Sequence, residues 1–161
     1  METKRIVVMG PSASGKTVVG QALAERLGLP FEDADAHHAP ESVAKMGRGE
    51  PLGEDDRAPW LATLAELLRG SEGLVLACSA LGRAHRDALR VGDVRFVYLE
   101  TPEEVLAARL RARDGHFAGI ELLPSQLDTL APPGPDEPDV LTVDGHGTVG
   151  EVRERARRAL G

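Results

Sequence analysis

The chain reads as an α/β domain built around a largely parallel sheet, and three observations point to that class. Short apolar, β-branched runs alternate with stretches of helical periodicity, the pattern of strands joined by crossover helices. Gly73 to Cys78 (GLVLAC) is continuously apolar, as a strand covered on both faces should be. Gly10 to Thr17 (GPSASGKT) fits G-x-x-x-x-G-K-[ST] and lies between an apolar run and a helical pattern, the setting such a loop requires. With 161 residues and no internal repeat, residues 1–161 read as one domain.

Each element follows from local chemistry. Arg5 to Met9 is a short β-branched run, the first strand. Gly15 to Leu27 is predicted helical, with Val18, Val19, Ala22, Leu23 and Leu27 at helical spacing and Gly28 as its stop. Phe31 to Ala34 is the second strand. Residues 36–57 are too long and too polar for an ordinary connection, so they read as a functional insertion with a short helix over Glu41 to Met46. Asp55-Asp56 open the next helix, whose stripe is Trp60, Leu61, Leu64, Leu67 and Leu68 and which ends at Gly70. Gly73 to Cys78 is the third strand, Ala80 to Val91 a helix, and Val94 to Leu99 the fourth strand. Thr101 caps a helix that has Pro102 at its first position and Glu104 at its third, and that runs to about Arg113. Gly115 to Leu123 reads as a mobile excursion, followed by a turn of helix over Ser125 to Leu130. A proline-rich connector (131–138), a fifth strand over Val140 to Val143 and a surface helix over Val149 to Leu160 complete the chain.

Composition narrows the function. The net charge of −7 argues against a general nucleic-acid binder, which needs a basic face to neutralise phosphates. One cysteine cannot form an internal disulfide or a cysteine-rich zinc site. No run approaches the ~20 apolar residues of a membrane span, and the Ile6–Met9 run is too short for a signal peptide. The chain is therefore expected to be cytoplasmic, with neither membrane nor nucleic acid as a partner. Aromatic residues are only 3%, so the core must be aliphatic. Arginines outnumber lysines 16 to 3, so a lysine inside a loop motif stands out.

The loop carries the first functional reading. Glycines let its backbone curl until successive N–H groups face phosphate oxygens, and the positive end of the following helix adds to the attraction. Gly10, Ser12, Ala13, Ser14, Gly15, Lys16 and Thr17 are the candidate nucleotide-phosphate ligands. Lys16 is placed to reach the β- and γ-phosphates of ATP, and the Thr17 hydroxyl to meet Mg2+. Asp33 and Asp35 end the second strand, where ligands of parallel sheets sit. Alternate residues of a strand share a face, so the two acids could act together. Asp35 is the candidate base and orienter of an acceptor hydroxyl, and Asp33 is expected near the magnesium waters.

Beyond the loop, with DADAHH at 33–38, GEPL at 49–52, DDRAPWL at 55–61 and CSAL at 78–81, the chain resembles gluconokinases. The blocks that carry the likeness are Asp33 to His38 (DADAHH), Lys45-Met46, Gly49 to Leu52 (GEPL), Asp55 to Leu61 (DDRAPWL), Cys78 to Leu81 (CSAL), Arg86-Asp87 and Leu89-Arg90. Arg109-Leu110, Arg113, Gly115 to Phe117 (GHF), Leu122-Leu123, Ser125-Gln126 and Thr129-Leu130 continue it. The blocks cover about residues 5 to 144, and the G-x-P-L, D-R-x-P-W-L and C-S-A-L groups are its most specific part. The chain departs from the family pattern at Ala39, at Ser42 where asparagine is usual, and at His85 where tyrosine is frequent. The resemblance implies a three-layer P-loop kinase fold, a five-stranded parallel sheet of order 2-3-1-4-5 with helices on both faces and a lid over about 113–125. It implies ATP-dependent phosphorylation of D-gluconate at its terminal hydroxyl, and often a homodimer.

Gluconate carries a carboxylate and five hydroxyls. Residues 32–57 hold eight acids and three bases, so the cation for that carboxylate should come mainly from elsewhere. Arg86, three residues after Arg83 on one helix face, is the principal candidate, because a guanidinium pairs with a carboxylate through two bonds. Ser79, His38, Lys45, Asp56, Arg57 and His116 complete the candidate substrate set. Trp60 and Cys78 read as core. By resemblance, Arg109 would flank the adenine and Arg113 would reach the phosphates as a catalytic charge stabiliser. Two other readings remain open at this stage: a different acceptor on the same fold, such as shikimate or a nucleoside monophosphate, and a nucleotide-binding regulatory protein without turnover.

Overall fold

The computed structural model describes residues 4–112 and 117–160. One parallel sheet holds strands β1 (Arg5–Met9), β2 (Phe31–Asp33), β3 (Leu74–Ala77), β4 (Val94–Glu100) and β5 (Val140–Asp144), in the order β2-β3-β1-β4-β5. The helices are α1 (Lys16–Leu27), α2 (Pro40–Gly47), α3 (Glu54–Arg69), α4 (Arg83–Leu89), α5 (Glu103–Ala112), α6 (Phe117–Thr129) and α7 (Val149–Leu160), with a 3-10 turn over Ala34–His37. No helix among the described residues is long and apolar enough to cross a membrane.

Strand alternation divides the core in two. Val7 and Met9 of β1 point with Leu74, Leu76, Phe96 and Tyr98 toward Trp60, Leu64 and Leu68 of α3 and Leu89 of α4. Ile6 and Val8 point the other way, with Val75, Val97 and Leu99, onto Val19 and Leu23 of α1 and Val152 and Ala156 of α7. The result is a three-layer sandwich. A third cluster joins Ala13 of the loop after β1 to Leu106 and Leu110 of α5 and Leu123 of α6.

The register places the functional strand ends side by side. Val8 and Asp33 both align with Ala77, so β2, β3 and β1 finish at one rim and release Asp35, Ser79 and the phosphate loop there.

Three expected elements are corrected. β2 stops at Asp33, and Asp35 lies in the 3-10 turn, where its N–H donates to the Asp33 carboxylate at 3.0 Å. The two acids are therefore held by an Asx-type cap and not by strand alternation. α4 starts at Arg83 and not at Ala80, since Ala80 adopts a left-handed φ of 45° and the His85 ring caps the helix from within, accepting from Gly82 N–H at 2.9 Å. Helix α6 (Phe117–Thr129) continues through Pro124, where the sequence predicts only a turn of helix over Ser125 to Leu130. Leu123 and Leu127, one turn apart on either side of it, hold that helix against α5 and the phosphate loop.

Candidate active site

The loop after β1 curls because its backbone must. Gly10 has φ 151°, and a Cβ there would lie 2.7 Å from Ser14 Oγ and 3.2 Å from Leu99 O. Gly15, at φ 99°, is the cap residue before α1, so the helix opens directly beneath the loop. Gly10 N–H donates to Ser79 O at 3.2 Å, tying the loop to the end of β3. Ser14 is buried, and its hydroxyl donates to Pro11 O at 2.7 Å. Lys16 Nζ donates to Pro11 O at 2.9 Å, which draws the ammonium back over the loop's mouth.

Two cavities open along this rim. The first, beside the phosphate loop, is lined by Ser12, Ala13, Gly15, Lys16, Thr17, Asp33, Asp35 and Arg109. The second lies beneath the 36–57 segment and is lined by Ser12, Lys16, Asp35, His38, Met46, Leu52, Arg57, Trp60, Ser79, Ser125 and Gln126. Its space, open solvent at the mouth included, is about 670 Å³, and the polar side chains of Ser12, Lys16, Asp35, Arg57, Ser79 and Gln126 line it. Ser12, Lys16 and Asp35 border both cavities.

Asp35 is ionised at neutral pH. The His38 ring beside it, Nε2 to Oδ1 3.6 Å, and the nearby Lys16 ammonium hold its carboxyl below the usual value against a smaller opposing effect of burial. The His38 side chain is only 3% exposed, whereas that of Asp35 is 76% exposed and free to meet a ligand. His38 stacks on Trp60 with ring centroids 4.2 Å apart and planes at 16°. Trp60 is core, as expected, but it is also the floor of the second cavity, and its indole N–H donates to Ala34 O at 2.7 Å to fix the turn that carries Asp35.

The structure does not bring Arg86 to either cavity. Its side chain is 1% exposed, and it donates to both oxygens of Glu137 at 2.8 Å and to the carbonyls of Ala80, Leu81 and Ala131. A guanidinium so committed has no donors to spare for a ligand. Arg90 joins the same carboxylate at 2.6 Å and reaches Asp139 at 2.7 Å, so the cluster ties α4 to the proline-rich connector. Lys45 is likewise outside the lining: it pairs with Asp56 at 3.0 Å, bridging α2 to α3, while Asp56 also accepts from Gly53 N–H to cap α3. Arg57, 16% exposed and bonded to Glu54 at 3.1 Å, is the arginine that does line the second cavity. Arg83 pairs with Asp136 at the surface. Burial pushes the Cys78 thiol up to about 12, which makes it an inert core group.

Arg109 donates to Ala13 O at 2.9 Å, Gly145 O at 2.9 Å and Gly147 O at 2.8 Å. It thereby joins the phosphate loop to the segment before α7 at the edge of the first cavity. Arg113 and His116 lie outside the described residues. The sequence reading gave no role to Gln126, though the Ser125-Gln126 block was its available signal. Gln126 faces the second cavity and bonds Ser12 at both ends of its amide.

Among the described residues, no cluster of three or more His, Cys, Asp or Glu side chains would hold a metal alone. The first cavity does offer the Thr17 hydroxyl and the Asp33 carboxylate, both hard oxygen donors. That set suits Mg2+, which keeps several waters and takes the rest of its shell from phosphates.

A family model described as AAA domain matches residues 6–124. The shikimate kinase of Acinetobacter baumannii shares the fold at a TM-score of 0.62, over 98% of this chain and 90% of that one, with 23% identity. Fold and site together define a P-loop kinase. A gluconokinase of Gluconobacter oxydans is 48% identical over 151 residues, 90% of this chain and 84% of the relative. The structure of a gluconokinase from Sinorhizobium meliloti matches at a TM-score of 0.89 and 45% identity, over 98% of this chain and 91% of that one. The chain belongs to the gluconokinase family.

Proposed function

We propose that the protein transfers the terminal phosphoryl group of ATP to the primary hydroxyl of D-gluconate, giving 6-phospho-D-gluconate and ADP. The observation that carries this reading is the shared border of the two cavities, where a lysine and an ionised carboxylate stand between a phosphate loop and a polar pocket. The curated relatives at 48% and 42% identity, from Gluconobacter oxydans and Escherichia coli, are both gluconokinases and support the choice of acceptor.

In this reading ATP lies in the first cavity, its phosphates against the loop N–H groups and Lys16. Arg109 flanks the nucleotide, and Arg113, carried over by resemblance, adds charge at the phosphates. Gluconate lies in the second cavity with its carboxylate on Arg57, which takes the part that Arg86 is not placed to play. His38, Ser79 and the Trp60 floor meet the polyol chain. Asp35 receives the proton of the terminal hydroxyl as that oxygen bonds to the γ-phosphorus and the bond to the β-phosphate oxygen breaks. Thr17 and Asp33, the latter through water, would hold Mg2+, which supplies charge neutralisation when bound.

The test is ADP release with gluconate, shikimate, glycerate or a nucleoside monophosphate as acceptor. Release that depends on gluconate is the expected result. Equal release with and without any acceptor rejects the reading.

A further inference from the structure

Gln126 of α6 spans the wall between the two cavities. It lines the acceptor cavity, and its carboxamide grips one residue of the phosphate loop at both ends. Ser12 N–H donates to Gln126 Oε1 at 2.7 Å, and Gln126 Nε2 donates to Ser12 Oγ at 2.9 Å. The orientation of the amide follows, since a flipped one would face a donor with a donor. Packing of Leu123 and Leu127 against Ala13 fixes α6 at this distance.

Ser12 N–H has one hydrogen to give. A phosphate oxygen entering the loop is a charged and therefore stronger acceptor than a carboxamide, and it competes for the same N–H. The displaced carboxamide stays on the acceptor side, where a hydroxyl serves both its oxygen and its nitrogen. We propose that Gln126 is a positioning residue that couples the two sites: nucleotide phosphate releases it from Ser12, and the released amide then holds a hydroxyl of the acceptor. Thermodynamic reciprocity requires the acceptor to tighten the nucleotide by the same factor. This proposal rests on the donor and acceptor assignment made above.

The experiment is calorimetric titration of a non-hydrolysable ATP analogue with Mg2+, with and without saturating gluconate, on the full chain and on Gln126→Ala and Gln126→Met. Methionine keeps the length and helix propensity of the side chain without its hydrogen bonds, so it stands in should the alanine variant fold poorly. In the parent protein gluconate tightens the analogue by about fivefold or more. In the variants that factor falls to about one, the analogue alone binds as tightly as before or more tightly, and the KM for gluconate rises about tenfold while kcat changes far less. Coupling retained in the variants, or weaker binding of the analogue alone, overturns the proposal, because a mere brace of the loop gives the second result. The analogue-only measurement needs no acceptor, so failure of the gluconate assignment and failure of the clasp are read separately.

Discussion

Asp35 shows how much one side chain's role depends on its neighbours. Its backbone is set by the Asp33 cap, its turn by the Trp60 indole, and its charge by His38 and Lys16. Asp35→Asn keeps the shape and removes the group proposed to accept the proton. It is expected to leave ATP affinity nearly intact while turnover falls by about two to four orders of magnitude, as single-turnover kinetics would show. Removing the imidazole acts differently. Because His38 holds the Asp35 carboxyl below its usual value, His38→Ala lets that value rise, and the acid limb of the kcat/KM profile should move to higher pH. At this scale the sequence was legible wherever a motif constrains the backbone, as in Gly10 to Thr17. It misled at Arg86, because its partner Glu137 is 51 residues away and spacing on a helix cannot tell a ligand arginine from one that anchors a loop.

Among elements, that same arginine has the structural role. Glu137 is 3% exposed and accepts from both Arg86 and Arg90, which lower its pKa to about 2. Removing the carboxylate would strand two guanidinium groups, one of them buried. Glu137→Gln is therefore expected to cost about 3–5 kcal/mol of stability in chemical denaturation, the range for breaking a buried ion pair from one side. The helices whose bounds were misread share a cause. A side-chain cap such as His85 on Gly82, or a proline carried through a helix by tertiary packing, leaves no mark in local periodicity. Strands were easier to place, because β1, β3 and the centre of β4 are buried apolar runs.

For the whole molecule, the strand order decides where chemistry happens. Placing β2, β3 and β1 side by side collects Asp35, Ser79 and the phosphate loop at one rim, although they lie far apart in the chain. The shikimate kinase of Acinetobacter baumannii shares the fold; in this chain the 36–57 segment and the start of α3 contribute His38, Met46, Leu52, Arg57 and Trp60 to the lining of the second cavity. Global stability should also carry the Glu137 signature. Its pKa is depressed in the folded protein, so its contribution is complete above the unfolded value near 4.5 and is lost as pH falls toward about 2. Thermal melts from pH 6 to pH 3 should show a steeper loss for the parent protein than for Glu137→Gln, and parallel slopes would contradict this.

The indole beneath His38 belongs to the only tryptophan in the sequence. Its ultraviolet emission therefore arises from a single known place, the base of the cavity assigned to the sugar acid. The protein thus carries its own optical label there, and a guest that alters the stacked imidazole changes the brightness of that label without any dye being attached.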